Sequence, residues 1–181
     1  ILWALILAVV QGLTEFLPVS SSAHLAILGA LAGIREEDAL AFFLVLPMGP
    51  LLATLAFFWR DLWALLKGLA HRDGASWRYV LLVAITTVPT GIIGLAFKDY
   101  VEEAFASPAV AGGLLFVTAA ALVGTRFLPR GEKADRDITW QDALLVGLAQ
   151  GIAVFPGISR SGATICACLA RKVGRRLHSP V

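Results

Sequence analysis

Hydrophobic positions in this chain run in blocks rather than in stripes. Three blocks, residues 39–59, 79–97 and 108–128, are uninterrupted, and each is long enough for a helix to cross a bilayer, which takes about 20 apolar residues. Two further blocks are broken. Residues 1–17 give way to Pro18 and the run Ser20, Ser21, Ser22 before residues 25–34 resume; residues 138–155 give way to 156–164 before 165–170. The pattern predicts three plain spans and two broken or re-entrant helical hairpins, over 1–34 and 138–170. Lipid offers no partner to a free peptide group, so irregular backbone at that depth must be buried in protein or line a watery cavity. The two breaks therefore mark the candidate site.

Composition agrees. The chain is 58% hydrophobic and 15% charged, with a mean hydropathy of +0.79. A soluble globular chain carries about a quarter charged residues. The fold class expected is all-α: a polytopic membrane protein, one membrane domain over residues 1–181. A net charge of +2 is too small to argue for nucleic acid as a partner. The charges report topology instead. Arg60, Lys67, Arg72 and Arg78 follow the first span, and Arg126, Arg130, Lys133 and Arg136 follow the third. Between the second and third, Lys98 stands against Asp99, Glu102 and Glu103. The positive-inside bias puts the two basic loops in the cytoplasm and the acidic one outside, together with Arg35 to Asp38. Cys166 and Cys168, one residue apart in an apolar run, match neither a redox nor a zinc pattern and read as core. No cleavable leader is recognisable. The chain starts at Ile1 and stops at "RRLHSPV", so a truncated C-terminus is expected.

The two broken blocks resemble each other. "QGLTEFLPVSSSAHL" over "QGIAVFPGISRSGAT" aligns without a gap, Gln11 on Gln150, Gly12 on Gly151, Phe16 on Phe155, Ser20 on Ser159 and Ser22 on Ser161. An odd number of spans between two such copies would make them an inverted repeat, the arrangement by which many transporters, and equally an enzyme, build a midplane site.

The breaks also hold the chemistry. Gln11 and Glu15, four apart, share a helix face, and a carboxylate among Leu13, Phe16 and Leu17 is a functional candidate. Ser20, Ser21, Ser22 and His24 follow at once. The second copy supplies the opposite charge: Arg160 stands between Ser159 and Ser161, with Gly157 and Gly162 letting backbone approach a ligand. A helix starting near Ser161 would add its amides to the guanidinium, a receptor suited to phosphate. Carboxylate, imidazole, hydroxyls and arginine are the parts of a phosphoryl-transfer site. A divalent cation, magnesium or calcium on Glu15 and phosphate oxygens, would supply charge that one arginine lacks.

At Gln11-x-x-x-Glu15, "LPVSSSAH" and "PGISRSGAT" the chain resembles the undecaprenyl-diphosphatase family of bacitracin-resistance membrane phosphatases. The resemblance implies hydrolysis of a polyprenyl diphosphate, with the lipid tail in the bilayer of the inner membrane of a bacterium and the headgroup in the cavity, recycling the carrier lipid for cell-wall synthesis. Carried over by position, it implies catalytic Glu15, Ser21, His24 and Arg160, with Gln11, Ser20, Ser22, Ser159, Ser161, Gly162 and Thr164 binding substrate. Serine and water both stand as nucleophiles, and a homodimer stands beside the monomer as the assembly. Pro47, Met48, Gly49 and Pro50 depart from the family pattern and predict a kink in the first span. The rival reading is a transporter or flippase for an anionic lipid, built on the same repeat.

Overall fold

A computed structural model describes residues 2–34, 42, 45–128 and 133–173. Their regular structure is helical, with one isolated parallel bridge, Lys133 to Val173. The first hairpin is α1 (Leu2–Thr14) and α2 (Ser21–Leu31). Then come α3 (Met48–Phe57), α4 (Trp59–Ala70), α5 (Gly74–Ala96), α6 (Lys98–Ala106) and α7 (Pro108–Gly124), the last running into a 3-10 turn. The second hairpin is α8 (Trp140–Ile152) and α9 (Arg160–Ala170).

Local signals fix the helix starts. The Asp73 carboxylate accepts the amides of Ala75 and Ser76 ahead of α5, Ser107 caps α7 with Pro108 in its first turn, and Thr139 and Asp142 form a capping box on α8. Two stretches, Gly74–Ala96 and Pro108–Phe127, are long and apolar enough to cross a membrane. The first expected span, 39–59, begins in residues outside the described ones. Its described part is not one smooth helix: a turn at Leu46 and Pro47 precedes α3, with Pro47 as N-cap and Pro50 in the first turn, where its missing N–H is no loss. The loop Arg35 to Asp38 and Arg130 also lie outside the described residues.

Two expected loops prove helical. The basic segment from Arg60 is α4, because Trp59, Leu62, Trp63 and Leu66 recur at helical spacing and gather on one face. The acidic segment is α6.

The burial pattern inverts that of a soluble protein. Leu95, Phe116 and Phe127 are at least 80% exposed, whereas Gln11, Ser20, Thr118, Asp142 and Ser159 are buried. Small residues, Ala23 and Ala26 of α2 against Ala111 of α7, make the core contact, as helices that pack in lipid require. Helices α5 and α8 pack closely against each other. A methyl at Gly147 would sit 2.5 Å from the Thr86 carbonyl oxygen, so the backbones touch there. Thr86 and Thr90 donate across the gap to the carbonyls of Ala143 and Gly147, both at 3.2 Å.

The repeat is visible as matched elements. α1 and α8 each have 13 residues, α2 and α9 each have 11, and both second helices pack on α7. The foot of the second hairpin is tied by one buried carboxylate. Asp142, 1% exposed, receives Lys133 Nζ at 3.0 and 3.1 Å, Arg171 Nε at 2.5 Å, and both the amide and hydroxyl of Thr139. Lys133, Asp142 and Arg171 thus join the incoming loop, the start of α8 and the end of α9.

Candidate active site

Apolar α1 brings Gln11 and Glu15 to the mouth of the first break. Gln11 Nε2 donates to Glu15 Oε2 at 2.8 Å, and Ser21 Oγ donates to the same oxygen at 2.5 Å. A carboxylate that accepts a serine hydroxyl is placed where it could take that proton.

The break itself is held by crossed contacts with the second hairpin. Ser20, at a left-handed φ of 60°, does not cap its own helix. Its Oγ instead accepts the Gly157 amide at 3.1 Å and lies 3.2 Å from Ser22 Oγ. In return Ser161 Oγ donates to the Leu17 carbonyl at 2.9 Å. Ser159 does cap its helix, accepting the Gly162 amide at 3.1 Å, and its hydroxyl is left to donate to Ser161 Oγ at 3.1 Å. The expectation that free amides near Ser161 receive an anion is therefore corrected in part. α9 starts at Arg160 and its third-residue amide is taken, whereas α2, from Ser21, starts without a side-chain cap, so its positive end is not met by a capping side chain.

Between the hairpins lies a cavity of about 230 Å³. Gln11, Glu15, Ser20, Ser21 and Ser22 face Ser159, Arg160 and Ser161 across it. Arg160 is exposed, and its guanidinium makes no hydrogen bond or ion pair among the described residues. Leu17, Leu25, Val154 and Ile158 form an apolar wall.

Three residues expected in the site do not line this cavity. His24 Nδ1–H donates to the Ser20 carbonyl at 2.8 Å, which leaves Nε2 as its basic atom and makes the ring a brace for Ser20. Thr164 turns its hydroxyl back to the carbonyls of Arg160 and Ser161. Gly162 spends its amide on the Ser159 cap and packs beside Pro18.

One participant escapes sequence reasoning. Thr118, buried on α7, donates to the Gly157 carbonyl at 2.7 Å and accepts the Ser159 amide at 3.0 Å. The available signal was that it is the one polar side chain in an apolar helix.

The oxygen donors bear on a cation. Gln11 Oε1 is buried without a partner, beside the Glu15 carboxylate. No cluster of three His, Cys, Asp or Glu occurs among the described residues. Hard oxygen ligands of this kind fit magnesium or calcium completed by a substrate's phosphates, and do not fit an ion caged by protein alone.

The family described as bacitracin resistance protein BacA matches residues 4–178. A protein named undecaprenyl-diphosphatase from Methanosphaera stadtmanae is 41% identical over 97% of this chain and 68% of its own length. Its namesake from Bacteroides thetaiotaomicron is 44% identical over 90% of this chain and 61% of its own. A third, from Desulfatibacillum aliphaticivorans, is 42% identical over 95% and 68%. The chain thus spans roughly two thirds of the length of these relatives.

Proposed function

We propose, because the chain belongs to the bacitracin resistance protein BacA family, that it is the site-bearing part of a membrane phosphatase converting undecaprenyl diphosphate to undecaprenyl phosphate and inorganic phosphate. The observation that carries this reading is the Ser21 hydroxyl on the Glu15 carboxylate, in one cavity with Arg160. A carrier would need the arginine and the cavity. It would not need an activated hydroxyl.

The chemistry follows from the groups present. The diphosphate headgroup enters with its charge toward Arg160 and the uncapped start of α2, and its isoprenoid tail runs along Leu17, Leu25 and Ile158 toward lipid. Glu15 takes the Ser21 proton as Ser21 Oγ bonds to the terminal phosphorus. The bond from that phosphorus to the bridging oxygen breaks, and the lipid monophosphate leaves with the electron pair. Water then attacks the phosphoserine, the serine oxygen departs as inorganic phosphate is released, and the proton returns to Ser21 from Glu15. Arg160 meets the charge that builds on the phosphoryl oxygens in both steps. Gln11 Oε1 and Glu15 would hold a divalent cation, whose charge neutralises the diphosphate.

The setting proposed is a multi-pass protein of a bacterial plasma membrane, with carrier-lipid recycling for cell-wall synthesis and bacitracin resistance as its consequences. The test is phosphate release from a polyprenyl diphosphate by the protein reconstituted in bilayers, with and without magnesium or calcium. Release that needs the cation and disappears in Ser21→Ala is expected. Lipid transfer between leaflets without phosphate release would replace the phosphatase with the carrier.

A further inference from the structure

We propose that Thr118 is a positioning residue of this site, acting from a plain apolar span on the turn that aims Ser159 and Arg160. The turn rests directly on α7. Gly157 has φ +103°, and a methyl there would meet the Ala111 carbonyl oxygen at 2.4 Å and Leu114 Cβ at 2.5 Å. Backbone lies against helix with no room for a side chain between them. One turn further along the same face of α7 comes Thr118.

Its hydroxyl spans the turn. It donates to Gly157 O and accepts from Ser159 N, skipping Ile158. On the other side Gly157 N donates to Ser20 Oγ. Three buried backbone groups of the second motif are thereby satisfied by hydroxyls from two other elements, and none is left to adjust toward water. Ser159 then caps α9 and Arg160 follows as its first residue, so the direction of the guanidinium descends from this anchorage.

Comparison with the other threonines argues for a specific role. Thr14, Thr54, Thr86, Thr87 and Thr90 all donate to the carbonyl four residues back in their own helix, the ordinary way a helix in an apolar setting satisfies a hydroxyl. Thr118 makes no such bond; donor and acceptor both go to the turn. It does not line the cavity, so it touches no substrate and works through Ser159 and Arg160.

The proposal rests on the phosphatase reading, and its test separates the two. Phosphate-release kinetics and backbone amide exchange are measured for the wild type, Thr118→Val, Thr118→Ser and Thr86→Val. Thr118→Val keeps the shape and loses the hydroxyl. It should lose at least about tenfold in kcat/KM, with KM raised because the anion clamp is misaimed, and should speed exchange across residues 157–161. Thr118→Ser should restore both to within about twofold. Thr86→Val, which removes a hydroxyl joining α5 to α8, should leave KM and the turn unchanged. Equal behaviour of Thr118→Val and Thr86→Val, or no rescue by serine, would overturn the assignment. A wild type that released no phosphate would fail the phosphatase reading alone, because exchange still reads the turn; unaltered exchange in Thr118→Val would then reject the role of Thr118. Thr118→Ala replaces the valine variant if that does not purify as a monodisperse protein.

Discussion

The two hairpins have matched helix lengths and serines at equivalent positions, yet they are stabilised in different ways. Ser159 caps its own helix. Ser20, its counterpart, sits at φ 60° and gives its oxygen to the other hairpin. Gln150 reaches Thr90 on α5, whereas Gln11 turns into the cavity toward Glu15. Gly151 is packed under Ile93; Gly12 has no atom within 4 Å of where its methyl would lie. Asp142 ties down the foot of the second hairpin, and the equivalent position in the first is Trp3, 43% exposed. A repeated sequence therefore repeats the spacing but not the surroundings. The second copy is anchored and presents one charge, while the first keeps its polar groups turned to the cavity.

The comparison can be tested by treating equivalent positions alike. The largest effect should come from Asp142→Ala, which removes the partner of Lys133 and Arg171 and half of the capping box on α8 and should lower stability by about 2–4 kcal/mol, seen as a lower thermal midpoint; Trp3→Ala in the first hairpin should do far less. Next is Arg160→Ala, with phosphate release reduced about 10²- to 10³-fold and the midpoint unchanged, since the guanidinium supports no other residue among the described ones. A smaller contrast separates the glycines. Gly147→Ala drives a methyl into the Thr86 carbonyl and should cost about 1–3 kcal/mol, whereas Gly12→Ala enters open space and should be neutral or gain up to about 1 kcal/mol. Ser159→Ala should remove a cap for about 1 kcal/mol.

The smallest effect is one of pH at the start of α5. The Ser76 hydroxyl and the amides of Ser76 and Ala75 hold the Asp73 carboxyl below its usual range. A depressed folded pKa contributes stability that is present above the unfolded value and is lost as pH falls through the folded one. Amide exchange at Ala75 and Ser76 should therefore rise only in acid below the ordinary aspartate range, and Asp73→Asn should abolish that dependence.

Much of this arrangement was legible in the sequence. Pro18 with Ser20 to Ser22, and Pro156 with Gly157, announced both breaks, because a proline beside a cluster of small polar residues or a glycine favours a helix end, whereas the lone Pro89 is carried inside α5. The charge of Arg160 inside an apolar block marked the candidate anion site. What could not be read was direction. Nothing in the spacing of "SSSAH" says that His24 will bind the Ser20 carbonyl rather than face the cavity, because that depends on the left-handed Ser20 and on its pairing with Gly157, 137 residues away. Thr164 lay in a matching motif, but its hydroxyl is satisfied by its own helix. The charges of α4 suggest a loop, and only the helical spacing of Trp59, Leu62, Trp63 and Leu66 shows the helix.

The central claim is that two distant copies make one site, and a double-mutant cycle on phosphate release tests it most directly. Ser21→Ala, Arg160→Ala and the pair are compared at equal protein in bilayers. If both hairpins act on one phosphoryl group, the double variant should be hardly slower than the slower single variant, because either loss already disables the same step. Losses that multiply would mean that Ser21 and Arg160 act independently, and would contradict the account.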